Sequence, residues 1–592
     1  MTDEDELRRW IACVRAGSLA RRDFLARMAA LGIAAPMASL LLADAGIAQP
    51  TSSYKPTRRG GGGTLRLLFW QGPTLLNPHF ANSTKDQSGS RPFYESLARF
   101  DTDGRLMPIL AAEIPSSDNG GIAADGRSTT WKLKRGVTWH DGKPFTADDV
   151  IFNWRYATDP ATAAFTGGVY ENVKAIEKID LHAVRIVFEK PSPVWTRTSN
   201  QQLIPQHLFA PYLGAKSREA PQNLKPVGTG PYRFVDFKPG DLVKGELNPN
   251  YHDPVRPHFD AIEIKGGGDA VSAARAVLQT GEFDYAWNLQ IEDEVLKRME
   301  ASGKGRVSFS PGGDTEMIWL NMTDPWTEVD GERASLKSRH PILSDPAVRE
   351  ALALLLDRKS AQEFVYGRTG VATSNVLNNP KQFNSPNTKS ETNLEKANAL
   401  LDGAGWKRGA NGIREKNGRK FSLLFQSSTN SVRQKVQTIF KQACGKAGIE
   451  IELKTVVPAV YFSSDIGNPD TAGKFWADLQ MHTFTRTPDP DRFMQLWVSW
   501  EASTKAHKWL GLNTGRWINA EYDGLFKAQQ IELDPVKRAA LLIRMNDLVC
   551  NDRAMIPVVY RPLVDGVIRN LVAPLSAWDI PLAGLHDWHR ES

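Results

Sequence analysis

The stretch WKLKRGVTWHDGKPFTADDVIFNW, residues 131–154, predicts a strand, a turn and the start of a helix in succession. Apolar side chains recur there at strand spacing, at Trp131, Leu133, Val137 and Trp139, with a break at 135–136 (Arg-Gly). The pair Asp141 and Gly142 tolerates positive φ, so the chain is expected to reverse at this point. Thr146 is placed to cap the following helix. The first turn of this helix carries two aspartates, whose negative charge interacts favourably with the helix dipole. These are folding signals and do not by themselves indicate a function.

As a whole, the stretch resembles the extracytoplasmic solute-binding proteins of peptide-type ABC importers, the dipeptide and oligopeptide binding family or solute-binding protein family 5. Twelve positions stand in register with the family pattern: Arg135, Gly136, Val137, His140, Asp141, Gly142, Pro144, Phe145, Thr146, Ala147, Asp149 and Val150. Two further family motifs follow, VGTGPY at 227–232 and GEFD at 281–284. The resemblance covers nearly the full length after the leader and implies a binding protein.

The resemblance implies an α/β fold, a two-lobed periplasmic binding protein of type II (cluster C-like) with an extra inserted domain. The expected divisions are lobe I at 64–100, 223–316 and 556–592, an inserted lobe II at 101–222, and lobe III at 317–555. Two crossing segments, near 317 and 557, are expected to form a hinge about which the lobes close on a solute. The length of 592 residues agrees with two or more lobes, since one core rarely serves so long a chain.

The first 48 residues are predicted to be a twin-arginine signal peptide. RRDFL at 21–25 precedes a mildly apolar, alanine-rich run at 28–43 that is too short and too weak for a good membrane span. The alternative is an amphipathic first helix of the mature fold. The Ser/Thr-rich, basic and Gly-rich segment 49–63 is predicted to be a flexible lead-in. We therefore expect a periplasmic protein, exported in the folded state.

Composition limits the partners and the kinds of site that the protein can be expected to have. The net charge of +6 is spread along the chain without a Lys/Arg run, so no nucleic-acid partner is expected, and we expect a monomer. The 17 tryptophans suit a protein that stacks ligands, although most are assigned to the core. After the leader only Cys444 and Cys550 remain, and the sequence leaves open whether they are bridged or free.

The sequence contains none of the motifs typical of hydrolases and metalloenzymes: G-x-S-x-G, H-E-x-x-H or C-x-x-C. His586 and His589 could share a helical face as metal ligands, but no third ligand lies near them in the sequence. We expect no catalytic residue, metal or cofactor. A periplasmic hydrolase of peptide-like or conjugate solutes remains the alternative, because a catalytic set can be assembled from distant residues.

The resemblance also implies a set of ligand-binding positions between the lobes and a membrane permease as the partner that receives the solute. These positions are Gly72, Pro73, Thr74, Trp287, Asn288, Glu316, Trp319, His482 and Arg561. In peptide-binding members the main chain of the ligand pairs with exposed strand edges, which points here to the loop 72–77 and the segment 316–319.

One position departs from the family. The run Asp489, Pro490, Asp491 fixes the register of a region in which peptide binders carry an aspartate that holds the α-ammonium group of the ligand, and that position falls on Arg486. An arginine would repel an ammonium but suits a carboxylate or phosphate. The sequence therefore predicts a solute with an anionic or blocked group there, with Arg561 adding to the site. Alternatively, Arg486 turns away and pairs with Asp489 or Asp491.

Overall fold

The computed structural model describes residues 57–591, except 82, 464, 485–487 and the side chain of Pro535, together with seven residues of the leader. Most of the predicted signal peptide and Arg486 thus lie outside the described residues. None of the helices in the described part of the chain combines the length and the hydropathy that a membrane span requires.

A seven-stranded mixed sheet forms the core of lobe I. In spatial order its strands are Gly305–Ser310, Leu563–Ile568, Tyr285–Ala286, Thr64–Phe69, Ala261–Gly266, Leu242–Leu247 and Tyr232–Lys238. The central strand Thr64–Phe69 pairs in parallel with Ala261–Gly266 and Tyr285–Ala286. Three distant parts of the chain therefore meet in one sheet, covered on one face by helix Ala270–Leu278.

A six-stranded sheet forms the core of lobe III. Its order is Val371–Ala372, Met555–Tyr560, Thr315–Leu320, Leu479–Phe484, Ser422–Ser428 and Glu450–Val456. The longer helices of this half are Pro346–Leu355, Leu394–Gly403, Ser431–Lys446, Ala520–Gln529 and Pro535–Asn551. Asp345 and Asp534 cap two of these helices, as their Asp-Pro pairs predict.

The inserted lobe contains an antiparallel sheet in the order Ser128–Lys132, Ala183–Phe188, Val173–Asp180. Helix Ala147–Thr158 packs on it, and the predicted cap is confirmed, since Thr146 and Asp149 form a reciprocal capping box. The first strand of the opening stretch ends at Lys132, shortly before the predicted break at Arg135 and Gly136, where Gly136 has φ +75°. The buried Trp139, beyond the break, enters the core from a loop.

Two of the family motifs contact each other where the inserted lobe meets lobe I. The His140 backbone N–H donates to the Gly228 carbonyl oxygen (2.8 Å), and the Gly228 N–H donates to His140 Nδ1 (3.1 Å). Nε2 of the same ring lies 3.0 Å from the Gly230 carbonyl oxygen. Burial lowers the pKa of His140 to about 4, so the ring is neutral at pH 7 and Nδ1 remains an acceptor. His140 is thus a structural histidine.

The two crossing segments lie slightly away from their predicted positions. The boundaries at 316 and 556 fall inside strands Thr315–Leu320 and Met555–Tyr560, which both belong to the six-stranded sheet. The chain therefore crosses at 311–314 and at 561–562, and the Arg561 N–H donates to the Asp314 carbonyl oxygen (2.9 Å) between the two segments. Alternation along the sequence marks a strand but does not show which sheet it joins.

The end of the predicted flexible lead-in is docked on lobe I. The Arg59 guanidinium donates to the carbonyl oxygens of Tyr251 and Asp253 (2.6 Å each), and Gly61 and Gly63 donate to the Asp260 carboxylate (2.8 Å each). A single arginine with several carbonyl partners fixes a segment whose composition alone predicts flexibility.

Cys444 and Cys550 are free thiols, buried in two separate hydrophobic clusters of lobe III. The question that the sequence left open is therefore settled in favour of two unbridged cysteines.

Candidate functional site

A cavity of about 390 Å³ lies between lobe I and lobe III. Its walls include Trp287 and Asn288, which follow the short strand Tyr285–Ala286 of the first sheet, and Trp319 and His482 from two paired strands of the second. Arg561, on a crossing segment, reaches the same cavity. Five of the positions suggested by the resemblance are therefore brought together, although they are up to 274 residues apart in the chain.

The walls of the cavity are strongly aromatic. Trp319 stacks on His482 with ring centroids 5.0 Å apart and planes 12° from parallel, and Trp287 stacks on Phe69 at 5.1 Å and 13°. Burial, followed by the nearby Arg433, lowers the pKa of His482 to about 3, so this ring is neutral at physiological pH. Stacked, rigid rings of this kind present flat apolar faces to a solute.

Glu316 supports the cavity wall but does not line it. Its carboxylate is buried and accepts from Arg433 Nε (2.7 Å) and from the Thr483 hydroxyl (2.8 Å), and both of these partners line the cavity. Burial alone would raise the pKa of Glu316, but Arg433 and then Arg561 hold it below its ordinary value. In this structure Glu316 therefore neutralises Arg433.

Arg561 lines the cavity and has no carboxylate within ion-pairing distance among the described residues. Its Nη2 donates to the side-chain oxygen of Asn288 (3.1 Å). With the Gln290 amide oxygen turned toward it, Nη2 and Nη1 donate there as well, at 2.8 and 3.2 Å. Only 4% of Arg561 is exposed, so its buried guanidinium is held by neutral amides and not by a carboxylate.

Two predictions about peptide-pairing edges are corrected. Gly72, Pro73 and Thr74 do not line the cavity, where the lining residue of that loop is Gln71. A Cβ on Gly72 would lie 2.3 Å from the Gly240 carbonyl oxygen, so this loop packs against the neighbouring turn. The segment 316–319 offers no free edge either, because strand Thr315–Leu320 is hydrogen-bonded to a neighbour on both sides.

Thr74 does act on the cavity indirectly. Its N–H donates to Asp86 Oδ1 (2.6 Å), and Lys85 Nζ, which lines the cavity, donates to the Thr74 hydroxyl (2.7 Å) and pairs with Asp86 (2.8 Å). Lys85 was not identified from the sequence, because nothing there distinguishes it from an exposed lysine at the start of a helix.

The Asp-Pro-Asp run lies where the inserted lobe meets lobe III. Arg197 of the inserted lobe donates to Asp491 Oδ2 (2.6 Å), and Gln529 donates to Asp491 Oδ1 (2.5 Å). Arg538 pairs with Asp489 (2.5 Å). Both carboxylates proposed as alternative partners of Arg486 therefore have arginine partners of their own.

The sequence analysis did not identify three arginines that line the cavity or lie beside it: Arg433, Arg492 and Arg197. Burial, followed by repulsion from Arg197, lowers the pKa of Arg492 to about 10, and its Nη1 donates to Gln495 (2.7 Å) at the cavity edge. Nothing in the spacing of these residues distinguishes them from surface charges.

In the described part of the chain, no group of three or more His, Cys, Asp or Glu side chains is assembled as a metal site, so the pair His586 and His589 finds no third ligand there.

Comparison with known proteins gives a consistent picture. The curated relatives include the oligopeptide-binding protein AppA of Bacillus subtilis, 28% identical over 437 residues (72% of this chain and 75% of AppA). They also include the glutathione-binding protein GsiB of Escherichia coli K12, 25% identical over 525 residues (86% of this chain and 91% of GsiB).

Solved structures share the fold. AppA of Bacillus subtilis in complex with a nonapeptide superposes with a TM-score of 0.77 at 24% identity, covering 91% of this chain and 100% of AppA. NikZ of Campylobacter jejuni in complex with Ni(L-His) gives 0.76 at 22% identity, covering 89% of this chain and 99% of NikZ. The predicted two-lobed binding-protein architecture is thereby confirmed.

The model of a family described as bacterial extracellular solute-binding proteins, family 5 (middle region), matches residues 105–505. This match supports solute binding and not the hydrolase alternative. Since it spans more than half of the chain, the protein belongs to the bacterial extracellular solute-binding proteins of family 5.

Proposed function

We propose that this protein captures a peptide or peptide-like solute between its lobes, closes about the two crossing segments, and delivers the solute to the membrane permease of an ABC importer. The names of the relatives, an oligopeptide-binding and a glutathione-binding protein, support a peptide-like solute. No turnover is involved in this proposal.

The family is extracellular, and RRDFL at 21–25 supports export by the twin-arginine route. The test is whether export is lost in cells that lack the twin-arginine translocase.

The observation that carries the proposed solute class is the Arg561 guanidinium, buried at the cavity and held by amide oxygens. A buried cation without its own carboxylate is best compensated by an anion from the solute. The carboxylate of a peptide, or another acidic group, fits this place. Arg486, proposed from the register as a second cation for the solute, would act in the same sense.

We expect Arg561→Gln to weaken binding of N-acetyl-trialanine, whose only charge is its carboxylate, by roughly 10- to 100-fold, since a hydrogen bond to a charged group is worth about 1.5–3 kcal/mol. Isothermal titration calorimetry with trialanine, N-acetyl-trialanine and N-acetyl-trialanine amide measures the effect. Arg185→Gln, at a half-exposed pair in the inserted lobe, is the matched control and should bind like the native protein.

The order of affinities tests the solute class itself. The acetylated acid should bind most tightly, the zwitterion less tightly, and the neutral amide least. Tight binding of trialanine that is indifferent to changes at Arg486 and Arg561 contradicts the anionic or blocked solute. Mass spectrometry of the same mixtures would show hydrolysis products if the protein were an enzyme.

The contact between the inserted lobe and lobe III predicts a role in closure. Arg197→Gln removes the pair with Asp491, and we expect it to raise the dissociation rate of N-acetyl-trialanine about tenfold, because it takes a charge-assisted hydrogen bond from the closed form. Stopped-flow tryptophan fluorescence measures that rate, and small-angle scattering should show a more open unliganded protein. An unchanged rate with an unchanged envelope would mean that this pair does not hold the lobes together.

A further inference from the structure

We propose that Asp565 is a positioning residue for solute binding, which acts through Asn288 on Arg561. This inference rests on the proposed function, because it assigns the residue that positions Arg561 for binding the solute. Asp565 lies on strand Leu563–Ile568, is fully buried, and does not line the cavity.

Asn288 is the connecting residue, and three of its polar groups have partners on three different parts of the chain. Its N–H donates to Asp565 Oδ1 (2.8 Å), its carbonyl oxygen accepts from Trp70 Nε1 (3.0 Å), and its side-chain oxygen accepts from Arg561 Nη2 (3.1 Å). The backbone of Asn288 has φ +56°, in the left-handed region that costs energy for a residue with a side chain. The three hydrogen bonds hold it there.

This arrangement separates the Asp565 carboxylate from the solute. Asp565 fixes the backbone of Asn288, and Asn288 presents an amide oxygen to Arg561, so the guanidinium is aimed into the cavity without a carboxylate bonded to it. A carboxylate in direct contact would neutralise Arg561, as Glu316 does for Arg433. The structure thus has two buried carboxylates near the cavity with opposite roles.

The environment of Asp565 makes this role dependent on pH. Burial raises its pKa to about 7, and the Asn288 N–H, Tyr285 and then Arg561 oppose that rise. On the neighbouring strands Tyr285 and the uncharged Ser308 face it, and helix Ala270–Leu278 covers the other side of the strand, against Gly566. When Asp565 binds a proton, its negative charge no longer offsets the nearby guanidinium, so an anionic solute should bind more tightly below pH 7 than above it.

Two substitutions separate position from charge. Asp565→Asn keeps an oxygen that can accept from the Asn288 N–H, whereas Asp565→Ala removes it. We expect Asp565→Ala to weaken binding of N-acetyl-trialanine at least about tenfold and Asp565→Asn to stay within about threefold of the native protein. Calorimetry between pH 6 and pH 8 should show affinity falling as pH rises in the native protein, with a flatter profile in Asp565→Asn.

The matched control is Asp478→Asn, a buried carboxylate of lobe III that accepts from the Leu424 N–H and pairs with His340, away from the cavity. It should lower the melting temperature but leave the affinity and its pH profile unchanged. If Asp565→Ala lowers only the melting temperature and binds like the native protein, the positioning role is overturned.

Crystal structures of the unliganded native protein and of Asp565→Ala decide the inference independently of any solute. We expect Asn288 to leave the left-handed conformation and Arg561 to lose its Asn288 contact in the variant. If both stay in place, Asp565 does not position them. Failure of the native protein to bind N-acetyl-trialanine would count against the proposed function, while the crystallographic comparison would still test the position of Arg561.

Discussion

Glu316→Ala is expected to lower the free energy of unfolding of lobe III by about 3–5 kcal/mol, because it leaves a buried guanidinium without its carboxylate. Arg433 and Glu316 are both almost fully buried, and Arg433 Nε lies 2.7 Å from Glu316. Removing Glu316 leaves the Arg433 guanidinium, whose side chain is only 5% exposed, without its carboxylate partner. Calorimetric melting of the native and variant proteins at pH 7 measures the effect.

The control for this prediction removes both charges. The double variant Glu316→Met with Arg433→Met should be closer to the native protein than either single variant, since replacing a buried pair by apolar residues is often nearly neutral. A single Glu316→Ala that melts like the native protein would show that water reaches Arg433.

The same pair determines a dependence on pH. The folded-state pKa of Glu316 lies below its ordinary value of 4.5, so its contribution to stability is complete above pH 4.5. It is lost as the pH falls through the lower, folded-state pKa. Acid unfolding of lobe III should therefore shift to a higher pH when Glu316 is changed to Gln.

Gly228→Ala is expected to destabilise lobe I by more than about 4 kcal/mol, the range reserved for severe steric conflicts. A Cβ on Gly228 would lie 1.8 Å from the Phe93 carbonyl oxygen, and backbone cannot yield as a flexible side chain does. The shift would also break the two hydrogen bonds between the Gly228 backbone and His140, one from the His140 N–H and one to its ring Nδ1. Soluble yield, melting temperature and hydrogen exchange of the 227–232 segment measure it.

Gly445→Ala is the matched control. Gly445 lies within helix Ser431–Lys446 and has no atom within 4 Å of an added Cβ. Alanine is the better helix former by about 1 kcal/mol, so this variant should be as stable as the native protein or slightly more stable. A Gly228→Ala protein that melts at the native temperature would contradict the close approach of Gly228 to the Phe93 carbonyl oxygen.

Local structure was predictable from the sequence because short-range rules decide it. The Thr146 cap and the Asp-Pro helix starts were correct, since each depends on a few adjacent residues. The resemblance predicted the lobes and suggested Trp287, Trp319 and His482 as ligand-binding positions, and the structure has all three in one cavity. The crossing segments were misplaced by a few residues because strand membership in one sheet or the other depends on distant partners.

The candidate site was less predictable for the same reason. The neutral partners of Arg561 come from residues 288 and 290, and the carboxylate that compensates Arg433 comes from residue 316, more than one hundred positions away. No spacing rule connects such residues. The sequence of strand Thr315–Leu320 does not show which neighbours the strand has, and only its two pairings show that it has no free edge.

The order of strands in the first sheet has a consequence for biosynthesis. Strand Gly305–Ser310 is joined to the rest of its sheet by Leu563–Ile568 alone, so this later strand must leave the ribosome before the sheet is continuous. The central strand Thr64–Phe69 likewise waits about two hundred residues for its first neighbour. Native structure in this lobe is therefore post-translational, and the nascent chain exposes unpaired strand edges for as long as its synthesis lasts. A chaperone that holds the growing chain until strand Leu563–Ile568 has emerged would protect those edges.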